Sequence, residues 1–227
     1  MKSVLQKSWG FVVAILMGAL ICSISASAGV ILYTTLGPNG EYDGYSGYPI
    51  GGSGPNNQVI ANPFTFSAGA TVGDVVLALG NLAGPNNPVD VYIESDNGGL
   101  PGSIIASLTQ VGTIPPWFNG HGGGLVTFDC TGAQCALPAG SYWLVAFEPD
   151  WNTAQVWAWA YQDQMNNMAS NEIGSPTGPW DGWFGTEDAF RIDGASGTTP
   201  EPGSLILLGS GLLGVAGVVR RLNLLRR

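Results

Sequence analysis

In VDVYIESD, residues 89–96, apolar and polar residues alternate. Val89, Val91 and Ile93 fall on one face of an extended chain, and the mainly polar even-numbered residues fall on the other. A period of two with a single apolar face is typical of a half-buried β-strand. The stretch therefore predicts a sheet that packs one face against a core.

Seven other stretches have strand character and are separated by clusters of Gly, Pro and Asn, with no convincing amphipathic helix between them. The one place for a helical turn is YQDQMNNMASNEI from Tyr161, and residues 37–57 are predicted to form a loop. Eight short strands predict an all-β domain, specifically a two-sheet sandwich of jelly-roll type. The seven stretches are VILYTTL from Val30, NPFTFSA from Asn62, GDVVLALGNL from Gly73, GLVTFDC from Gly124, SYWLVAFE from Ser141, AQVWAWAY from Ala154 and DAFRIDG from Asp188.

The charge of the chain is unevenly distributed. Residues 29–199 hold 15 of the 16 acidic residues but a single basic one, Arg191, which gives this body a net charge of −14. Such a surface repels phosphate backbones, so binding to nucleic acid is not expected. The acidity favours solubility outside the cell.

The N-terminal segment has the three parts of a secretory signal peptide. Lys2 and Lys7 are followed by a mostly apolar run over residues 11–24 and by the small residues Ala26-Ser27-Ala28. We therefore expect signal peptidase to remove residues 1–28 and the mature chain to start near Gly29, outside the cytoplasm.

The C-terminal segment contains a second apolar run, Leu205–Val219, which carries no charge. At 1.5 Å per residue it spans about 22 Å of a hydrocarbon core of about 30 Å, so it predicts a single thin transmembrane helix. Arg220 and Arg221 follow it and belong on the cytoplasmic side. An ordinary tail anchor would explain this run, but it leaves the preceding Pro200-Glu201-Pro202 unexplained.

The order of a Pro-Glu-Pro triplet, a short apolar helix and a terminal arginine cluster resembles the PEP-CTERM proteins of Gram-negative bacteria. The resemblance implies a sorting signal over residues 200–227 that an exosortase, a membrane protease, recognises and cuts. Pro200, Glu201 and Pro202 would be the recognition motif, and Arg220 and Arg221 the membrane stop. The protein would be anchored in the inner membrane before sorting and would then reach the cell surface or the extracellular matrix.

Two stretches of the body, SDNGGLPGSIIASLT from Ser95 and CALPAGSYWLVAF from Cys135, resemble the choice-of-anchor domains of type R. This resemblance implies an exported β-rich surface domain and brings no catalytic residue with it. The predicted organisation is therefore a signal peptide at 1–28, a β-sandwich at 29–193, a linker at 194–199 and the sorting segment at 200–227.

Cys130 and Cys135 are the only cysteines of the body. An oxidising compartment favours a disulfide between them, closing a small loop. With no His nearby they make a poor metal site.

No catalytic residue is assigned, and we expect neither an enzyme nor a cofactor. His121-Gly122-Gly123-Gly124 copies the oxyanion loop of some esterases, but no Gly-x-Ser-x-Gly elbow accompanies it. Acidic pairs such as Glu148 with Asp150, or Glu187 with Asp188, keep an extracellular glycoside hydrolase as a distant alternative.

Two binding hypotheses remain. Trp157, Trp159 and Tyr161 alternate along one strand and would form a strip for stacking on an extracellular polysaccharide, although burial of this strip against the opposite sheet is the favoured interpretation. Glu94, Asp96 and Asn97 offer oxygen ligands for Ca²⁺, but a tight turn explains them better. The main expectation is thus a non-enzymatic exported surface protein, with a carbohydrate-binding module as the alternative.

Overall fold

A computed structural model of the protein describes residues 29–51, 58–83, 88–118, 121–150 and 154–195. The predicted signal peptide and the predicted sorting segment lie outside these residues, as does most of the predicted linker. Among the described residues, none of the helices is long and apolar enough to cross a membrane.

β-Strands make up most of the described chain, as the alternating stretches predict, and all eight predicted strands are present. Three single-turn 3-10 helices interrupt the strands at Pro38–Gly40, Ala133–Cys135 and Tyr161–Asp163. The strands are β1 Ile31–Thr34, β2 Asp43–Gly51, β3 Val59–Phe66, β4 Ala70–Ala83, β5 Asp90–Asp96, β6 Pro101–Val111, β7 Trp117–Phe118, β8 His121–Gly122, β9 Gly124–Asp129, β10 Ala136–Leu137, β11 Gly140–Phe147, β12 Ala154–Trp159, β13 Met165–Asn171, β14 Asp181–Thr186 and β15 Phe190–Gly194.

Most strands belong to one curled antiparallel sheet with the order β1-β15-β4-β9-β6-β5-β11-β3-β13-β14. Strand β12 pairs with β4 and carries β2 on its other side. The long strand β6 pairs with β5 from Pro101 to Leu108 and with β9 from Thr109 to Val111, so it joins the two halves of the sheet. A jelly roll of two separate sheets is therefore not confirmed.

The core lies between the two halves of the curled sheet, and it follows from the period-two pattern. In β5, Val91 and Ile93 are buried in the core. They meet Leu77 of β4, Phe128 of β9 and Leu144 of β11 in the same cluster. Burial of these apolar faces is the main favourable contribution to folding.

Three of the strands lie outside the eight stretches predicted to be strands. Strand β2 occupies part of the predicted loop at 37–57. The helical turn expected within YQDQMNNMASNEI is present as the 3-10 helix Tyr161–Asp163, and β13 follows it. Strand β14 spans Asp181–Thr186, where no strand was predicted. Pairing with neighbouring strands explains all three, since sheet contacts override weak local propensity.

Candidate functional site

The most distinctive cavity among the described residues lies where two strands diverge. Strand β13 pairs with β3 only from Val59 to Ala61, whereas β11 stays paired with β3 as far as Phe66. The first part of β13, from Met165 to Met168, pairs with β14 alone. The divergence leaves a cleft of ≈ 490 Å³. We call it the fork cleft and define it by Pro63, Thr65, Asn166, Asn167, Trp183 and Phe184.

Strand β14 gives the fork cleft its aromatic side. Its alternation turns Trp183 towards the core, where it is half-buried, and turns Phe184 outward, where it is 66% exposed. Tyr48 of β2 meets the Trp183 ring edge-on, with centroids 5.8 Å apart. Gly185 is required beside it, because a Cβ there would collide with the Trp183 indole nitrogen. The Trp183 ring is thus held in place, and the Phe184 ring is freely accessible.

The polar side of the fork cleft holds oriented hydrogen-bonding groups. Asp96 accepts hydrogen bonds from Trp143 Nε1 at 2.9 Å and from the Gly99 backbone N–H at 3.2 Å. The hydroxyls of Thr65 and Ser141 lie 3.2 Å apart on exposed positions of paired strands. These contacts fix the direction of a carboxylate and of two hydroxyls around an opening that is also lined by rings.

Asn166 connects the fork cleft to a buried acidic group behind it. Its Nδ2 donates to Glu187 Oε1 at 3.2 Å, and the hydroxyl of Tyr33 donates to the same oxygen at 3.2 Å. Burial raises the pKa of Glu187 to about 7, although these two hydrogen bonds favour its charged form. The same burial, together with the Glu187 carboxylate, drives the pKa of Tyr33 upward.

Asp188 is fully enclosed and forms a two-point pair with Asn62. Asn62 Nδ2 donates to Asp188 Oδ2, and the Asp188 backbone N–H donates to Asn62 Oδ1, each at 2.9 Å. Burial raises the pKa of Asp188 well above its ordinary value. Glu187 and Asp188 are thus core groups, and Asp188 is not exposed to a surface that a substrate reaches. Glu148 of the other acidic pair is also buried, and it accepts a hydrogen bond from the backbone N–H of Asp150.

The predicted aromatic strip does not form a flat surface. Trp157 is fully buried, and its Nε1 donates to the Ala189 carbonyl at 3.0 Å, which corrects the stacking hypothesis for this residue. Trp159 is half-buried beside Tyr48, with ring centroids 5.5 Å apart. Tyr161 lies in a 3-10 helix and covers Gly37. Trp157 and Trp159 share the face of β12 opposite Val156 and Ala158, and the strand ends at Trp159, before Tyr161.

The predicted calcium ligands do not converge. Glu94 is fully buried, and no described residue donates a hydrogen bond to either of its carboxylate oxygens. Burial raises its pKa to about 8. Asp96 is engaged with Trp143 and Gly99, and Asn97 is exposed in the turn. No group of three or more metal-ligating side chains occurs among the described residues.

Cys130 and Cys135 form a disulfide, with Cα atoms 5.9 Å apart. Both cysteines are buried in the core cluster. The backbone N–H of Cys130 donates to the Gly73 carbonyl at 2.9 Å, which ties the closed loop to β4.

His121 and the tryptophans outside the predicted strip lie in different parts of the chain. His121 belongs to the two-residue strand β8, paired with β7. Trp117 is buried over Gly80 on the outer face of the sheet. Trp180 packs against a cluster that contains Trp143. Trp151 lies outside the described residues.

Sequence reasoning missed the fork cleft. The signal available for it was the alternation in DGWFGT, residues 181–186, which puts adjacent aromatic rings on opposite faces of an extended chain. Nothing in one sequence shows where a strand leaves its neighbour, so the divergence at Ala61 was not predictable.

The sorting residues Pro200, Glu201 and Pro202, together with Arg220 and Arg221, lie outside the described residues. In comparison with known families, residues 198–221 match the PEP-CTERM protein-sorting motif. No curated protein and no solved structure matches the chain. The resemblance of the body to choice-of-anchor domains of type R is not confirmed. Residues 198–221 therefore carry a PEP-CTERM signal, which implies export towards the cell surface and processing by an exosortase-type partner.

Proposed function

We propose that this protein is a non-enzymatic component of the cell surface or extracellular matrix, exported by a signal peptide at 1–28 and sorted by an exosortase. The match at residues 198–221 carries this proposal. In it, the apolar run Leu205–Val219 forms a transmembrane helix that holds the body at the inner membrane. Exosortase then cuts near Pro200-Glu201-Pro202, and the mature body is attached or released.

The body has properties that are favourable for a protein outside the cell. It combines an all-β architecture, a Cys130–Cys135 disulfide and a net charge of −14, which favour folding and solubility in an oxidising, salt-containing exterior. We further propose that the two halves of the curled sheet act as the two layers of a sandwich. The body would then be a choice-of-anchor domain of type R, for which the stretches from Ser95 and Cys135 are the support.

Replacement of the sorting motif tests the proposal. In the native host, Pro200→Ala/Glu201→Ala/Pro202→Ala should remain at full length in the membrane fraction, whereas the wild type should be shortened. Ser196→Ala/Gly197→Ala is the matched control, because it changes residues just before the matched range 198–221 and should be processed normally. Processing of the triple variant at the wild-type rate would refute recognition of the Pro-Glu-Pro motif.

A further inference from the structure

The fork cleft has the composition of a sugar-binding site. Phe184 presents an exposed ring, Asn167 is exposed directly opposite it in the β13–β14 ladder, and Asp96 is held in a fixed direction by Trp143. A sugar ring offers a C–H face that stacks on an aromatic ring and hydroxyls that exchange hydrogen bonds with amides and carboxylates. We propose that the fork cleft binds a neutral polysaccharide chain. This proposal does not depend on how the C-terminal tail is processed.

The space beside the fork cleft favours a polymer over a single sugar. A second depression of ≈ 600 Å³ lies beside the fork cleft, is lined by Trp180 and Asn97, and shares Asp96 with it. Trp180 therefore offers a second aromatic group on the far side of Asp96. Two depressions that meet at one fixed carboxylate accommodate neighbouring residues of one chain.

The negative charge of the body favours a neutral polysaccharide over an acidic one. Arg191 is the single basic residue of the body, and it is already paired with Asp193 at 2.8 Å. A uronic-acid polymer would meet unfavourable electrostatic potential and no available lysine or arginine in the described body. The ligand class is therefore neutral.

The open edge of β3 raises the alternative that a peptide strand fills the fork. Pro63 lies in that edge, has no N–H to donate and is a residue that discourages strand pairing. Asn62, the residue before it, uses its side chain to hold Asp188. These features favour a glycan over an added strand.

Native affinity electrophoresis of the full chain in mild detergent tests the proposal, with dextran, galactomannan, mixed-linkage β-glucan and the acidic polymer alginate as probes. At least one neutral polymer should retard the wild-type protein, and alginate should not. Phe184→Ala should weaken the apparent affinity at least tenfold, while Phe184→Trp should preserve it. Asn167→Ala should weaken it by a smaller factor.

Tyr45→Ala is the matched control, because Tyr45 is an aromatic residue that is 72% exposed and does not line the fork cleft. It should bind as the wild type does. The far-ultraviolet circular dichroism of every variant should match that of the wild type. The proposal is overturned if no neutral polymer retards the wild type, if Phe184→Ala binds as well as Tyr45→Ala, or if alginate is preferred.

Discussion

At the scale of single residues, Trp157 is the residue on which the sugar-stacking and core interpretations of the sequence diverge. Its ring is fully buried, lies 6.1 Å from the Phe190 ring between centroids, and donates its indole N–H to Ala189. The alternation of AQVWAWAY placed it correctly on one face with Trp159. Alternation alone does not say whether that face meets the core or solvent.

Trp157→Ala should therefore be strongly destabilising. Removing a buried indole loses its transfer free energy and leaves a cavity, for which we expect a loss of about 3–5 kcal/mol in the free energy of unfolding. Urea denaturation measures this change. Phe184→Ala is the control, since removal of an exposed ring should change stability by only about 0.5 kcal/mol. Equal effects of the two substitutions would contradict burial of Trp157.

Glu94 makes stability depend on pH. Burial raises its pKa from 4.5 to about 8, so the folded state retains a proton that the unfolded chain releases. The folded state binds more protons over this window, and stability therefore falls as the pH rises from about 4.5 to about 8. Glu187 and Asp188 act with the same sign.

Glu94→Gln removes one of these titrating groups. The urea midpoint of the variant should fall less steeply between pH 5 and pH 8 than that of the wild type, as followed by fluorescence. The comparison concerns the slope, because a buried amide also changes the absolute stability. Glu172→Gln, at an exposed position, is the control. A variant slope equal to that of the wild type would refute the titration of Glu94.

At the scale of elements, β3 has two different edges. One edge is paired with β11 throughout, while the other loses β13 after Ala61 and is then secured by the Asn62–Asp188 pair. This pair joins β3 to the segment before β15, in the opposite half of the sheet. A buried side-chain pair thus holds β3 at the residue that follows its last pairing with β13.

Asn62→Ala should consequently destabilise the protein. The substitution leaves the buried Asp188 backbone N–H without an acceptor and the buried Asp188 Oδ2 without a donor. Each such group should lower the free energy of unfolding by about 1–3 kcal/mol. Urea denaturation is again the measurement. Asn167→Ala serves as the control, because Asn167 is exposed on the neighbouring strand and its loss should cost at most about 0.5 kcal/mol. If the two variants were equally stable, the Asn62–Asp188 pair would not secure β3.

The sequence predicted the strands with a clear apolar face and missed those without one. VDVYIESD and GLVTFDC alternate strongly and form β5 and β9. MNNMASN of β13 is mostly polar, because part of it borders the fork cleft, and its period is therefore weak. β2 contains three glycines and Pro49, which are typical of a loop, yet it pairs with β12 in the structure. Its conformation comes from a neighbour that is distant in sequence.

At the scale of the whole molecule, the sorting signal and the cleft proposed to bind sugar lie in different parts of the chain. The motif at 198–221 directs the protein, and its residue order was recognisable because sorting signals are read as short linear patterns. The fork cleft is assembled from β3, β13 and β14, whose pairing ends at a point that no local pattern encodes. The destination was therefore predictable from the sequence, and the cleft was not.

The intact mass of the protein from native cells, measured separately in membrane and released fractions, shows whether the chain is sorted. Sorting predicts a product that begins near Gly29 and ends near Pro200, because signal peptidase and exosortase would each remove one end. A product that extends through Arg227 and is confined to the membrane would contradict sorting and leave an ordinary tail-anchored protein.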